Sequence, residues 1–351
     1  MTKKFSYIVF ALITGLILLV GISLLVGAYD LSFSAFVNVL QQNVLAATGA
    51  DHGKVASDSY LLFQIRLPRI LMAGITGAGL AITGAAIQGL FRNPLADPSL
   101  IGITSGAMLF AVLAIVTMST VLAAISGILQ QFLIVVFAFV GGISTTYLVY
   151  FLSRKNGKTY VMTMLLAGVA ITALAGAVTG IFIYLSDEQQ LRDITFWSLG
   201  SFSGTSWTHL LIAIPIVVPG IVLLHRYSNA LNAIMLGEHD AHYLGVRVEK
   251  VKTNVIVLTS VIVGVCIALS GIIGFVGLII PHFIRLLNGS DYRELMTYSA
   301  LGGAIFMIIA DNIARVIIAP AELPIGILSA LIGGPFFLWL LVRVKKEKLL
   351  I

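Results

Sequence analysis

From Ile8 to Ala28 the chain carries no charged residue, and stretches of the same kind recur almost to its end. A helix needs roughly 20 residues to cross about 30 Å of hydrocarbon. Ten spans fit this pattern, at 7–28, 64–91, 100–118, 125–152, 161–185, 207–225, 253–273, 275–288, 295–317 and 325–343. Charged residues make up only 10% of the chain, against about 25% in soluble domains. Lipid offers no partner to a backbone N–H or C=O, so each span is expected to be a helix packed on its neighbours. The sequence therefore predicts an all-α polytopic membrane protein, with 1–351 forming a single transmembrane domain. The start, Met1-Thr2-Lys3-Lys4 and then an apolar run, resembles a signal peptide. Its apolar core is too long and more spans follow, so an uncleaved first span is expected. The eighth span is short and contains Pro281, which is predicted to break it. The lone cysteine, Cys266, excludes an internal disulfide.

Topology follows from the distribution of basic residues. With the N-terminus inside, sixteen of the 21 Lys and Arg residues fall on the inner side. Both termini are thus predicted to be cytoplasmic, and the net charge of +6 needs no nucleic acid to explain it. The exceptions are Lys54, Arg66, Arg69, Arg192 and Arg315, and they need a reason of their own. The outer segment 29–63 is polar, with a short surface helix expected at about 34–47. The outer segment 186–206 places Trp197 near the membrane interface, as Trp207 is just beyond it, which suits anchoring or contact with a partner or cargo. Span two carries small residues four apart, including Gly77 and Ala81, a spacing that lets helix backbones approach closely. Ala81-Ile82-Thr83-Gly84 matches Ala268-Leu269-Ser270-Gly271, and Gly77 matches Gly264 at the same offset. Spans two and seven cross in opposite senses, so an inverted repeat of spans two to five and seven to ten is expected.

Three polar features interrupt the apolar pattern. Span two ends in Arg92-Asn93-Pro94-Leu95-Ala96-Asp97-Pro98, a turn stiffened by two prolines. The inner loop 225–252 holds a short helical stretch between Gly237 and Gly245, with Ala241 and Leu244 expected on one side. Such a helix suits docking of a soluble partner. Glu238, His239, Asp240 and His242 lie together there, and a solvated polar face explains them better than a metal site. Gly157-Lys158-Thr159 echoes a phosphate-binding loop, but Leu152 stands where that motif needs glycine. No nucleotide site is encoded, so any ATP-driven step requires a separate subunit. His282, near the inner end of span eight, reads as structural rather than as a proton relay.

Together these segments resemble permeases of the FecCD type, the cobalamin and iron-siderophore branch of ATP-binding-cassette importers. The resemblance rests on RLPR at 66–69, GAxxQxxxRNPLADPxxxGxxxGA at 84–107, LGxxxAxxLGV at 236–246, GFVGLIIPHxxR at 274–285 and ELPIGxxxAxxGGPxFxxLL at 322–341. It implies a ten-span, non-catalytic subunit in a bacterial cytoplasmic membrane, paired with a second copy or a paralogue. Two cytoplasmic ATPase subunits would drive it, and an extracytoplasmic binding protein would deliver an iron-siderophore, haem or cobalamin. By similarity, Arg66, Arg69 and Arg315 would receive carboxylates of the binding protein, a task that suits the planar guanidinium fork. Asn93 and Leu95 would form the cytoplasmic gate. Leu236, Gly237, Ala241, Leu244, Gly245 and Val246 would belong to the helix that couples to the ATPase. The resemblance implies no catalytic residue, cofactor or metal. Local readings stand beside these: interfacial anchoring for Arg66 and Arg69, an ion pair with Asp311 for Arg315, and a plain loop cap for the proline turn. The competing function is an ion- or proton-coupled secondary transporter, which buries ionisable groups near mid-membrane. Asp311 is the one carboxylate the sequence places within a span.

Overall fold

The structure, a computed structural model, describes residues 3–27, 29, 31–45, 52–120 and 127–348. In chain order the helices are α1 (Lys3–Leu25), α2 (Phe33–Leu45), α3 (His52–Tyr60), α4 (Leu67–Leu90), α5 (Ile103–Thr120) and α6 (Gly127–Ser153). Strands β1 (Arg154–Lys155) and β2 (Lys158–Thr159) come next, then α7 (Val161–Leu185), α8 (Glu188–Leu199), α9 (Trp207–His225), α10 (Ser228–Leu236) and α11 (Glu238–Tyr243). The chain closes with α12 (Val248–Ser270), α13 (Val276–Asn288), α14 (Tyr292–Val316) and α15 (Ile325–Lys348). Among the described residues seven helices are long and apolar enough to cross a membrane, and three shorter apolar helices accompany them. Each falls on one of the ten predicted spans.

The departures are local and each has a physical cause. A π-turn at Leu61–Arg66 joins α3 to α4, so the second span is one rod that begins within the segment read as an outer loop. The third span starts late, because Pro98–Ile101 forms a 3-10 turn closed by Gly102 at φ +82°. The expected surface helix is α2, and residues 46 and 47 of that expectation lie outside the described residues. Segment 186–206 contains a helix that hydrophobicity does not reveal. Its start is a capping box: Gln190 N–H donates to Asp187 Oδ1 at 2.9 Å and Asp187 N–H to Gln190 Oε1 at 3.0 Å. Pro281 does not break the eighth span, since α13 continues through it. That span is short for another reason. Thirteen residues rise about 20 Å, and the non-helical stretch 271–275 covers the rest of the crossing.

The packing follows the inverted repeat. α4 packs on α14 as α12 packs on α6, and α5–α6, α5–α7 and α6–α7 have counterparts in α13–α14, α13–α15 and α14–α15. The paired glycines occupy matching places: Gly77 faces Gly303 of α14, and Gly264 faces the Phe139 ring of α6. α4 also crosses α13 at close range. A Cβ on Gly84 would sit 1.9 Å from the Gly277 carbonyl oxygen, so only glycine lets these backbones meet. α4 and α12 form the buried centre, whereas α1 and α7 are exposed along most of their length.

Candidate functional site

The three predicted arginines gather at one end of the bundle, opposite the proline turn. Arg69 grips two carboxylates. Its Nη2 lies 2.8 Å from Asp311 Oδ1, and its Nη1 donates to both oxygens of Glu322 at 2.7 and 2.9 Å. Arg315 Nε approaches Asp311 Oδ2 at 3.3 Å, so Asp311 is shared between two guanidiniums. Arg315 also donates to Asn312, whose Oδ1 accepts from Ser23 Oγ of α1 at 2.5 Å. Arg66 does something else. It donates to the carbonyls of Leu24 at 2.6 Å, Leu25 at 2.9 Å and Tyr29 at 2.5 Å, capping the end of α1. Residue exposures are only 3% for Arg66, 7% for Arg69 and 5% for Arg315. The pair of Arg315 with Asp311 was legible from their i,i+4 spacing. Glu322 was missed as a partner, although it opens the ELPIG segment.

An open cavity lies along α5 and α7 and reaches the end of the proline turn. Its larger part, about 710 Å3, lies between α5 and α7 and is lined by Thr104, Ser105, Met108, Gly168, Thr172 and Thr179 among others. An adjoining part of about 370 Å3 shares Ser99, Thr104 and Ile272 and adds Asp97, Phe275, Leu278 and Phe337. The walls are apolar with scattered hydroxyls, several of them engaged locally, as where Ser105 Oγ donates to the Gly102 carbonyl at 3.0 Å. Non-helical backbone at this depth is tolerated where it lines such a space, and 272–275 does so. Phe275 holds φ +69°, which costs a non-glycine residue about 1–2 kcal/mol. Its ring packs so closely on Gly333 of α15 that a Cβ there would lie 2.4 Å from the ring.

Asp97 of the proline turn lines one end of this cavity. Asn93 Oδ1 accepts from the Leu95 N–H at 2.9 Å, while the Asn93 carbonyl accepts from Ala96 N–H at 3.1 Å. Asn93 is exposed and Leu95 half-buried. Asp97 caps the following 3-10 turn through Ser99 N–H at 2.8 Å. Burial pushes the Asp97 carboxyl above the usual carboxylate range, against the pull of that hydrogen bond. Gln88, in the last turn of α4, is buried and reaches the Gly277 and Leu278 carbonyls at 3.3 and 3.4 Å. It fastens α4 to α13 directly behind the turn, a role the RNPLADP segment did not disclose.

Beside the turn lies the helical hairpin α10–α11. Gly237 adopts φ 142°, ψ 149° between the two helices, and Gly245 closes the second at φ +82°. Ala241 and Leu244 do not share a side, contrary to the sequence expectation. Ala241 is fully buried, whereas Leu244 is 65% exposed, because the helix ends at Tyr243 and the chain turns there. The exposed apolar tip is Leu236, Tyr243 and Leu244, with Val246 half-buried. Two fastenings hold the hairpin. Buried Lys252 Nζ binds Glu238 Oε2 at 2.8 Å, Glu249 Oε1 at 3.1 Å and the Thr159 carbonyl at 3.0 Å. Asn232 donates to Asp291 Oδ1 at 2.8 Å and accepts the Tyr292 N–H at 2.9 Å. The Tyr292 ring lies against Gly89 of α4, so hairpin, α14 and the last turn before the proline turn form one contiguous body. His239 and His242 are exposed, and no cluster able to hold a metal occurs among the described residues.

Comparison with known proteins places this geometry. The FecCD transport family model matches residues 15–343. The haemin transport system permease HmuU of Yersinia pestis is 43% identical over 289 residues, covering 82% of this chain and 85% of that protein. The cobalamin import system permease BtuC of Halobacterium salinarum is 43% identical over 277 residues, 79% of this chain and 72% of the relative. A solved ABC transporter assigned to the metal-chelate type, in an inward-facing conformation, superposes with a TM-score of 0.82 at 35% identity. That match covers 96% of this chain and 99% of the other. With the fold, the repeat and the family model in agreement over nearly its whole length, the chain belongs to the FecCD transport family and is a membrane permease subunit of an ATP-binding-cassette importer.

Proposed function

We propose that residues 1–351 act as one transmembrane domain that moves a bulky metal chelate, of the class that includes ferric siderophores, haem and cobalamin, into the cell. The observation that carries this reading is the cavity along α5 and α7. It is large and hydroxyl-studded, and among the described residues that line it Asp97 is the sole charged one. Such a wall offers passage without a tight binding site, and selection of the cargo falls to a delivering protein. The exposed face of α7, where a Cβ added at Gly176 or Gly180 would meet no neighbouring atom within 4 Å, suits a second copy or a paralogue that completes the pathway. Asn93 and Leu95 form the gate on the cytoplasmic side. Leu236, Gly237, Leu244, Gly245 and Val246 lie around the surface offered to an ATPase, with Ala241 as the buried seat of α11. Two ATPase subunits per pair of permeases drive the cycle, and both termini face the cytoplasm. Vesicles holding the permease and its ATPase are expected to take up chelate only with ATP and the binding protein present. Uptake driven by a proton gradient without any ATPase would refute this function.

Arg69 and Arg315 are the docking points in this reading, and Arg66 positions them by holding α1 in place. Their burial means that an incoming carboxylate competes with Glu322, whose side chain is 35% exposed. Glu322→Gln is therefore expected to strengthen binding-protein association severalfold, since it removes the competitor but not the receptor. Surface plasmon resonance against nanodisc-held permease reads this. Unchanged or weakened association would leave Arg69 a purely structural residue.

A further inference from the structure

A narrow groove of about 100 Å3 opens between α6 and α12, lined by Ile143, Tyr147 and Tyr150 on one wall and Thr253, Val257 and Ser260 on the other. Its hydroxyls other than that of Tyr147 are spent within the protein. Ser260 Oγ donates to the Ile256 carbonyl at 2.7 Å, and Tyr150 and Thr253 bond each other at 2.8 Å. The groove thus presents hydrocarbon, with Tyr147 and Val257 exposed along it.

At the end marked by the Tyr150–Thr253 pair the character changes. The β1–β2 hairpin carries Arg154, Lys155 and Lys158, all exposed. Lys250 lies one turn before Thr253 on the same stripe of α12, since 250, 253, 257 and 260 share a helix face. Among the described residues none of these four cations is in an ion pair. The reason is local: buried Lys252 takes both nearby carboxylates, Glu238 and Glu249. Nor is the hairpin loose. Asn156 and Gly157 turn it at φ 51° and 75°, the tight turn that Asn-Gly favours. Thr159 N–H is held by Glu249 at 2.8 Å. Fixed, uncompensated positive charge therefore stands at the mouth of an apolar track that runs along two spans.

We propose that this groove and hairpin bind one anionic phospholipid. An acyl chain lies between α6 and α12, and the phosphate headgroup sits among Arg154, Lys155, Lys158 and Lys250. A soluble partner cannot follow the track to membrane depth, whereas a lipid of the inner leaflet meets both halves. The assignment rests on the reading that this end faces the cytoplasm.

The test is native mass spectrometry of the full-length permease in mild detergent, titrated with phosphatidylglycerol, phosphatidylcholine or free glycerol phosphate. Phosphatidylglycerol should be retained and the other two not. Arg154→Gln with Lys155→Gln and Lys158→Gln should weaken retention on the order of a hundredfold. Val257→Trp, which fills the groove and leaves the charges, should also weaken it. Unchanged accessibility of the buried Cys266 thiol verifies that each variant is folded. Equal retention of phosphatidylcholine, binding of free glycerol phosphate alone, or indifference to Val257→Trp would each overturn the site. Release of the lipid by added ATPase would also overturn it, by making the ATPase the occupant. The readout needs no transport, so failure of uptake and failure of lipid binding are separate results.

Discussion

Asp311→Ala is expected to destabilise the permease by about 3–5 kcal/mol, the largest effect of any single charge change in the bundle. The carboxylate is buried, and it lies between Arg69 at 2.8 Å and Arg315 at 3.3 Å. Removing it leaves two buried cations facing each other, with only the partly exposed Glu322 to share. Glu322→Gln should cost no more than about 1 kcal/mol, because Glu322 stands at the rim where water screens it. The chain supplies its own probe in Cys266, its single and buried thiol. Labelling through global opening should accelerate by about two to nearly four powers of ten in Asp311→Ala. A buried ion pair is weak evidence of net stability, since well-packed apolar groups often replace it without loss. The triple change Asp311→Leu, Arg69→Met, Arg315→Met should accordingly recover most of the stability while abolishing binding-protein association. If Asp311→Ala labels at the unaltered rate, the shared carboxylate does not hold this end together.

Why the knot exists cannot be read from stability alone. A cheaper apolar core was available, and the chain instead keeps three arginines under a thin rim. This matters for the competing idea of an ion-coupled carrier, which needs an ionisable group free to exchange its partner at mid-membrane. Asp311 is bound on both sides near the end of α14, so it is spoken for structurally. The cavity itself offers hydroxyls and one capped carboxylate.

Span positions were legible because hydrocarbon thickness imposes a length and a composition on every crossing segment, whatever its neighbours. Counting basic residues placed Arg66 and Arg69 on the opposite side from the proline turn, and they stand at the opposite end of α4 from it. Partners were not legible. Arg69 and Glu322 are 253 residues apart, and nothing local in either position announces the other. Arg66 looks like Arg69 in the RLPR segment, yet the π-turn before it delivers its guanidinium to α1 carbonyls. Helix α8 escaped because its polar composition hides it from hydropathy, although Asp187 and Gln190 spell a capping box. Lys252 was counted as one more inner cation, whereas burial makes it the fastener of α11 and the reason its neighbours lack counter-ions. The inverted repeat showed faintly, through Gly77 and Gly264, because the matching residues are those where neighbouring helices press close.

Gly84→Ala should severely destabilise the permease and abolish transport, for one added methyl group. The Cβ would stand 1.9 Å from the Gly277 oxygen and 2.4 Å from its carbonyl carbon. Neither atom can rotate away, since both belong to the backbone of α13. The helices must separate, and Gln88 then loses its carbonyls on Gly277 and Leu278 while Asp97 draws away from the start of α13. The proline turn is carried by these same residues, so its position fails with the crossing. A net loss of at least about 3 kcal/mol is expected, despite up to about 1 kcal/mol gained from alanine's better helix propensity. Gly15→Ala isolates that propensity term. Gly15 lies on exposed α1 with no atom within 4 Å of its added Cβ, so the change should be neutral or slightly stabilising. Cys266 labelling compares the two variants directly, and ATP-driven uptake follows the proline turn. Equal behaviour of the two would mean that α4 and α13 slide past each other freely, and the proline turn would then have to be braced by something other than this crossing.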